Sequence, residues 1–237
     1  SWQHGQPPLA IADFGFAIRA LSYSASQGLL AIGGFNEKIV VFDVRNRAFR
    51  HTLQCDCGDQ RTVSFSPDGT KLLCGGRDGE VNVWETQTGN VLAKYRAHRG
   101  RIFTAGFSSD SSKITSVGED RRLVHYDLLA QKVLPQSLEL PAKLMSMCLI
   151  NDSIVAMSGA DNKIKLYDFA ANDLIAELDD HEGTVAVMCP IGPMLASGSF
   201  DTTVKLWNLN RVEERRQLSG RPVGHTPLEV DEKLRIR

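Results

Sequence analysis

The sequence predicts an all-β fold that is built from about five copies of one four-stranded unit. The first reason is a repeat, because a closing aromatic residue recurs at intervals of 42, 42, 41 and 40 residues. The second is that each copy ends in a run with period-two alternation, such as Val204-Lys205-Leu206-Trp207, which is typical of a strand. A repeat of about 40–45 residues is the spacing of four-stranded propeller blades, so we expect a β-propeller. The closing aromatic residues are Phe42, Trp84, Tyr126, Tyr167 and Trp207.

A short polar turn precedes each closing strand. An Asp or Asn stands six residues before the aromatic residue, and a small residue stands eight before it. Asp and Asn suit such a turn because their side chains accept hydrogen bonds from nearby backbone amides and tolerate a positive φ. The small residue lets a neighbouring segment approach closely. The pattern predicts a hairpin between the second and third strands at Asn36, Asp78, Asp120, Asp161 and Asp201, with Gly34, Gly76, Gly118, Gly159 and Ser199 as the small residues.

The first and fourth strands complete each unit. An apolar stretch lies upstream of every hairpin and predicts the first strand, at residues 17–24, 62–66, 102–107, 144–149 and 184–188. A more polar stretch follows each hairpin, as at residues 90–97, and predicts an outer edge strand. The predicted units are an N-terminal extension (1–14), blades at 15–56, 57–97, 98–139, 140–180 and 181–217, and a C-terminal tail (218–237).

At these residues the chain resembles the WD40-repeat family, over roughly residues 15–217. The family's closing Trp-Asp pair is present in altered form, as Phe42-Asp43, Trp84-Glu85, Tyr126-Asp127, Tyr167-Asp168 and Trp207-Asn208. The resemblance implies a buried hydrogen-bonded brace of His, Ser or Thr, Asp and Trp within a blade. Only the fifth unit holds all four members, His181, Ser197, Asp201 and Trp207.

Five units are fewer than the seven that the resemblance leads one to expect. Repeated units of this kind cannot bury their hydrophobic faces alone, so a partial ring leaves two apolar blade faces open. We therefore expect an incomplete or fragmentary ring, completed by blades outside this sequence or by a partner. Neither the first 14 residues nor residues 221–237 have room for a full blade, and the latter offer at most one or two strands, such as residues 233–237.

No pattern of catalytic or cofactor-binding residues stands out. The His, Ser and Asp of the fifth unit have structural places implied by the resemblance, and a Gly-x-Ser-x-Gly elbow is missing. Cys55-x-Cys57 lacks a second pair at zinc-site spacing, so it is interpreted as a loop with two free thiols. We expect no enzyme activity, no cofactor, no metal and no small-molecule substrate.

The function best predicted is a non-catalytic scaffold that binds other proteins in an intracellular multiprotein complex. In WD40 proteins, to which the chain is similar, the residue before the turn Asp commonly points to one face of the propeller. Aromatic and Arg side chains often anchor interfaces. The candidate partner-binding rim is therefore Phe35, Arg77, Glu119 and Phe200. The alternative is that each Phe ring folds back onto its own blade.

An RNA-associated subunit of a ribonucleoprotein or ribosome-assembly particle is the second candidate function. Arg96, Arg99 and Arg101 form a basic cluster with Tyr95 and Phe103 as aromatic neighbours on which bases could stack. The alternative is a solvated rim, because the formal net charge of the whole chain is only -1. Further basic clusters lie at residues 45–50 and 211–216.

A third, weaker candidate is a substrate receptor of cullin-type ubiquitin ligases. WD40 proteins of that class often carry Trp-Asp-x-Arg, and Phe42-Asp43-Val44-Arg45 is similar. The cytoplasm or the nucleus is expected, because five cysteines cannot all pair with one another and a reducing compartment suits such a set. No apolar run approaches the ~20 residues that span a bilayer, so no membrane insertion is expected.

Overall fold

The computed structural model describes residues 10–210, which form twenty β-strands in five antiparallel sheets. The first sheet contains β1 (Ile18–Ser24), β2 (Leu29–Gly34), β3 (Lys38–Asp43) and β4 (Ala48–Gln54). The second contains β5 (Gln60–Phe65), β6 (Lys71–Gly76), β7 (Glu80–Glu85) and β8 (Val91–Arg96). The third contains β9 (Ile102–Phe107), β10 (Lys113–Gly118), β11 (Arg122–Asp127), β12 (Lys132–Val133) and β13 (Leu138–Glu139). The fourth contains β14 (Leu144–Leu149), β15 (Ile154–Gly159), β16 (Ile164–Asp168) and β17 (Asp173–Leu178), and the fifth β18 (Val185–Ile191), β19 (Met194–Ser199) and β20 (Val204–Asn208).

Each sheet follows the strand order of the sequence, as the blades of a propeller do, and this confirms the predicted all-β fold. The first strands β1, β5, β9, β14 and β18 pack one against the next in chain order, so they form the inner strands. A fourth strand of the fifth sheet, expected before residue 217, lies outside the described residues, as do the candidate strand 233–237 and the basic cluster 211–216.

The hydrophobic core lies between the sheets. Ala31, Ile39 and Val41 of the first sheet share one buried cluster with Val63 and Leu72 of the second. Equivalent clusters join the second sheet to the third, the third to the fourth and the fourth to the fifth. Each of the three middle blades thus packs one face on the preceding blade and its other face on the following one.

Two blade faces lack such a neighbour among residues 10–210. Val204 in the last sheet is 76% exposed, whereas Ile39, Val81, Leu123 and Ile164, which hold its register position in the other sheets, are 0% exposed. Val187 and Ile191 are exposed on the same side, and we call these two residues with Val204 the trailing open face. Leu21 (60% exposed) and Tyr23 (56%) form the leading open face on the first sheet. Within the described residues the ring is therefore incomplete, as predicted.

An irregularity at the start of each inner strand bears on the site. The pairing of every inner strand with the second strand skips one residue. Such a bulge leaves the extra residue unpaired and turns its side chain away from the regular alternation. The skipped residues are Arg19, Arg61, Phe103, Met145 and Ala186.

Two local predictions need correction. The outer strand of the third blade is split into β12 and β13 around Pro135, which has no backbone N–H to donate to the ladder. Cys55 and Cys57 lie in a loop as predicted, but they are not free thiols, because the structure joins them in a disulfide and buries both completely. Sequence spacing did not reveal that the segment after β4 turns into the core between the first two sheets.

Candidate interaction surface

The fifth sheet brings together the four side chains His181, Ser197, Asp201 and Trp207. Imidazole Nδ1 of His181 lies 2.7 Å from Asp201 Oδ2, and its Nε2 lies 2.7 Å from Ser197 Oγ. The indole Nε1–H of Trp207 donates to the same hydroxyl at 2.8 Å. Three of the four residues are buried, so the chain of bonds satisfies polar groups that would otherwise be stranded in the core.

The carboxylate of Asp201 also fixes the turn. It accepts hydrogen bonds from the backbone N–H groups of Glu182 (3.0 Å) and Thr203 (2.9 Å) and from the Thr203 hydroxyl (2.6 Å). Burial raises the pKa of Asp201, but the hydrogen bonds from Thr203, His181 and Glu182 outweigh it and hold this pKa well below its ordinary value. The charged carboxylate of Asp201 is thus held by hydrogen bonds within its own blade.

The third sheet holds a shorter version of the same arrangement. His98 Nδ1 lies 2.8 Å from Asp120 Oδ1, and His98 Nε2 lies 2.9 Å from Ser116 Oγ. Tyr126 stands where the indole would be, and its ring instead stacks on Tyr95 with centroids 3.6 Å apart. In both sheets the His, Ser and Asp are engaged with one another rather than arranged around an open cleft.

The predicted rim residues lie in the turns between the second and third strands, at one edge of the blades. Phe35, Glu119 and Phe200 each donate a backbone N–H to the residue just before an inner strand, at 3.1, 2.8 and 3.0 Å. This repeated bond places the rim beside the inner strands. Phe200 is 72% exposed and Phe35 50%, so neither ring is buried in its own blade. Arg77 is exposed, and Glu119 forms an ion pair with Lys143 at 3.1 Å.

Sequence reasoning missed a cluster of cations next to this rim, made of Arg19, Arg61 and Arg101, which we call the arginine cluster. Arg19 and Arg61 are bulge residues, and Arg101 directly precedes β9. Burial lowers the pKa of Arg61, and repulsion from Arg101 and Arg19 lowers it further. The signal in the sequence was an Arg one residue into the inner strand of the first two repeats.

The polar atoms of the arginine cluster are incompletely paired. Nε of Arg61 and Nε of Arg101 are buried without a hydrogen-bond partner. The Asp59 carboxylate forms an ion pair with Arg61, but its distance of 3.7 Å from Nε is too long for a hydrogen bond. The guanidinium groups of Arg19 and Arg61 lie over the rings of Phe35 and Phe103, at 5.3 and 5.6 Å from the centroids. This part of the rim therefore presents positive charge beside aromatic surface.

The candidate RNA-contacting residues are spread over different environments. Arg96 is exposed and lies 3.7 Å from Glu80, Arg99 is exposed, and Arg101 is half-buried in the arginine cluster. The Tyr95 ring is stacked on Tyr126, and burial raises the pKa of its hydroxyl. Phe103 is covered by Arg61. Neither aromatic ring is thus placed as a free platform for a base.

The Asp-x-Arg element of the first blade is engaged within that blade. Asp43 accepts hydrogen bonds from the backbone and side-chain amides of Asn46, at 2.8 and 2.9 Å. The Arg45 guanidinium donates to the carbonyls of Ala25 and Ser26, at 3.1 and 3.3 Å. Phe42 is buried.

In the part of the chain that the structure describes, no helix is both long and apolar enough to cross a membrane.

Comparison with known proteins agrees with the geometry. The family described as "WD domain, G-beta repeat" matches residues 48–85, 89–127 and 172–208. The matched segments end at or beside Trp84, Tyr126 and Trp207, which close the second, third and fifth units.

Several curated proteins are similar over most of the chain. A periodic tryptophan protein 2 homolog of Dictyostelium discoideum is 28% identical over 188 residues, which is 76% of this chain and 20% of that protein. A p21-activated protein kinase-interacting protein 1-like protein of Xenopus laevis is 22% identical over 254 residues, covering 88% of this chain and 70% of that protein. A WD repeat-containing protein 91 homolog of Dictyostelium discoideum is 25% identical over 162 residues, which is 63% of this chain and 21% of that protein. The chain thus spans about a fifth of the length of the two Dictyostelium proteins.

The repeated sheets, the His–Ser–Asp arrangements at their turns and the matched segments lead to one assignment: the chain contains WD40 repeats.

Proposed function

We propose that this chain is a non-catalytic scaffold that binds other proteins in an intracellular complex, and that its rim takes an acidic segment of the partner. The observation that carries the proposal is the arginine cluster, in which two buried guanidinium nitrogens lack hydrogen-bond partners beside the exposed rim. A carboxylate is the natural counterpart, because charge-assisted hydrogen bonds to Arg are stronger than neutral ones. Phe35 and Phe200 add exposed apolar area of the kind that anchors interfaces.

The family and its relatives support a binding role. Propellers hold loops on a rigid scaffold, and such loops commonly carry partner contacts. The Xenopus laevis relative is named for its interaction with a protein kinase. The cytoplasm or nucleus suits the three free thiols Cys74, Cys148 and Cys189, and there the Cys55–Cys57 disulfide would be open to reduction.

The test is affinity capture of partners from cell extract by the intact chain. We expect Arg61→Gln with Arg101→Gln, and separately Arg77→Ala with Phe200→Ala, to weaken retention of the main protein partners roughly tenfold, a loss of about 1.4 kcal/mol. The matched control is Leu129→Ala with Lys132→Ala, two exposed residues of which the first lies in the turn after β11 and the second begins β12. Unchanged retention by both rim variants would contradict the proposal.

The second candidate function is RNA binding through the same positive surface. The exposed Arg99 next to the arginine cluster favours it. Crosslinks from RNA to residues 96–101 that weaken as salt is raised would support this candidate, since phosphate contacts are strongly salt-dependent. Partner capture that is insensitive to nuclease, together with no such crosslinks, would exclude it as the main function.

A further inference from the structure

Three cysteine sulfurs meet in the core between the first and second sheets. Cys55 and Cys57 lie in the connection between β4 and β5, and Cys74 lies in β6. Cys74 Sγ is 2.6 Å from Cys55 Sγ and 3.2 Å from Cys57 Sγ, and all three sulfurs lie within 4.8 Å of one another. Each of the three residues is 0% exposed. We call this group the cysteine cluster.

The cysteine cluster occupies the place that the His–Ser pair holds in other blades. In the second sheet Cys74 pairs with Val63 and Asn82 on the two neighbouring strands. It therefore holds the strand position that Ser116 holds in the third sheet and Ser197 in the fifth. In those blades a histidine from the preceding connection bonds the serine hydroxyl. In the second blade the preceding connection supplies Cys55 and Cys57 instead.

This exchange alters the chemistry of the position. A thiol is a weak hydrogen-bond donor and acceptor, so three thiols do not reproduce the strong bonds of the histidine–serine pair. Among the described residues, Asn82 contacts the sulfurs through its side-chain amide, whose Nδ2 lies 3.5 Å from Cys55 Sγ. Three converging sulfurs are, however, a donor set that soft metal ions prefer.

We propose that the reduced cysteine cluster binds one soft cation of low coordination number, of the Cu⁺ class. Three sulfurs without a fourth His, Cys, Asp or Glu ligand in the described part of the chain suit a three-coordinate ion better than Zn²⁺, whose protein sites are almost always tetrahedral.

The disulfide makes the site dependent on redox state. In the structure Cys55 and Cys57 are bonded to each other and cannot both act as thiolate ligands. Two molecules of a small thiol reduce this bond by supplying two electrons and two protons, and they leave as their own disulfide. Cu⁺ then replaces thiol protons, which pass to solvent.

The test is a competition for Cu⁺ between the intact, reduced chain and a chromophoric Cu⁺ chelator in the absence of oxygen. We expect one Cu⁺ per chain for the wild type and for Cys189→Ser, whose cysteine is exposed and lies in another sheet. Cys74→Ser and Cys57→Ser should each lose the tight site. Chain in which the disulfide is kept should lose it as well.

Two further measurements test the ligands and the choice of metal. X-ray absorption at the copper edge of the loaded wild type should show sulfur neighbours only. Because this measurement uses the wild type, its result does not depend on whether a variant folds. A parallel titration with Zn²⁺ should give weaker retention than Cu⁺. The proposal fails if the reduced wild type takes up no more Cu⁺ than Cys74→Ser, also after refolding with the ion, or if nitrogen or oxygen ligands dominate.

Discussion

At the scale of single residues, the polar groups of the blades are used for architecture. His181, Ser197 and Asp201 form a continuous set of hydrogen bonds, and the same three residue types recur as His98, Ser116 and Asp120. The resemblance to the WD40-repeat family, which these residues carry at their positions in the repeat, was enough to predict this arrangement in the fifth unit. The cysteine cluster was not predictable in this way, because Cys74 is distant in sequence from the Cys-x-Cys pair and only the fold brings them together.

Removing the histidine of the fifth blade should destabilise the chain. In His181→Ala the buried Ser197 hydroxyl and the Asp201 carboxylate lose a partner, and stranded polar groups cost about 1–3 kcal/mol. Urea unfolding should show this loss in the free energy of unfolding. Lys132→Ala, at an exposed position, serves as the control and should stay within about 0.5 kcal/mol. Equal stability of His181→Ala and the control would contradict the role of the brace.

A buried histidine between the third and fourth blades should make stability depend on pH. His125 stacks on Phe169 with centroids 4.1 Å apart, and its Nδ1 lies 2.9 Å from Thr115 Oγ1. Burial lowers its pKa to about 4, and repulsion from Lys113 adds to the effect, while Asp127 opposes it.

The direction of this effect follows from proton linkage. Between the unfolded pKa of 6.5 and the folded value of about 4, the unfolded chain binds a proton that the folded chain does not, so stability falls as pH falls through this window. His125 should contribute a loss of about 2 kcal/mol between pH 7 and pH 5. Unfolding of the wild type and His125→Gln at both pH values measures it. The same pH dependence in both proteins would show that His125 is not the responsible group.

At the scale of elements, strand order and the turn positions were predictable, and strand ends were less so. The repeat spacing and the polar turns were enough to locate the hairpins, because the turn positions depend on local backbone chemistry. The predicted first strand at residues 184–188 continues in the structure to Ile191, through Pro190. Proline is tolerated there because β18 is the edge of its sheet and needs no donor on its free side. The arginine cluster depends on bulges, which side-chain alternation does not reveal.

Equivalent valines in two blades should respond differently to the same substitution. Val81 is fully buried between blades, whereas Val204 holds the same register position on the trailing open face and is 76% exposed. Val81→Ala removes buried methyl groups and should cost about 2 kcal/mol. Val204→Ala should cost less than about 0.5 kcal/mol. Unfolding of both variants in parallel provides the comparison, and a Val204→Ala cost as large as that of Val81→Ala would mean that this face is covered in solution.

At the scale of the whole molecule, the two open faces are the feature that sets how the chain behaves in solution. They have the same kind of apolar residues that pack between neighbouring blades, and their exposure differs only because no described blade lies beyond them. Exposed apolar patches of this kind mark association surfaces. The leading open face of one copy of the chain complements the trailing open face of another copy. Every interface between neighbouring blades in the structure joins these same two sides.

The isolated chain should therefore associate with itself at raised concentration. Sedimentation velocity should show a weight-average mass that rises with concentration for the wild type. Leu21→Glu with Val204→Glu places a charge on each open face and should return the chain to a monomer, because burying an unpaired charge in such a contact is costly. The control, Leu129→Glu, adds the same charge at an 88% exposed position away from both faces and should leave association unchanged. A wild-type chain that stays monomeric at all concentrations would show that the open faces are satisfied within the chain itself.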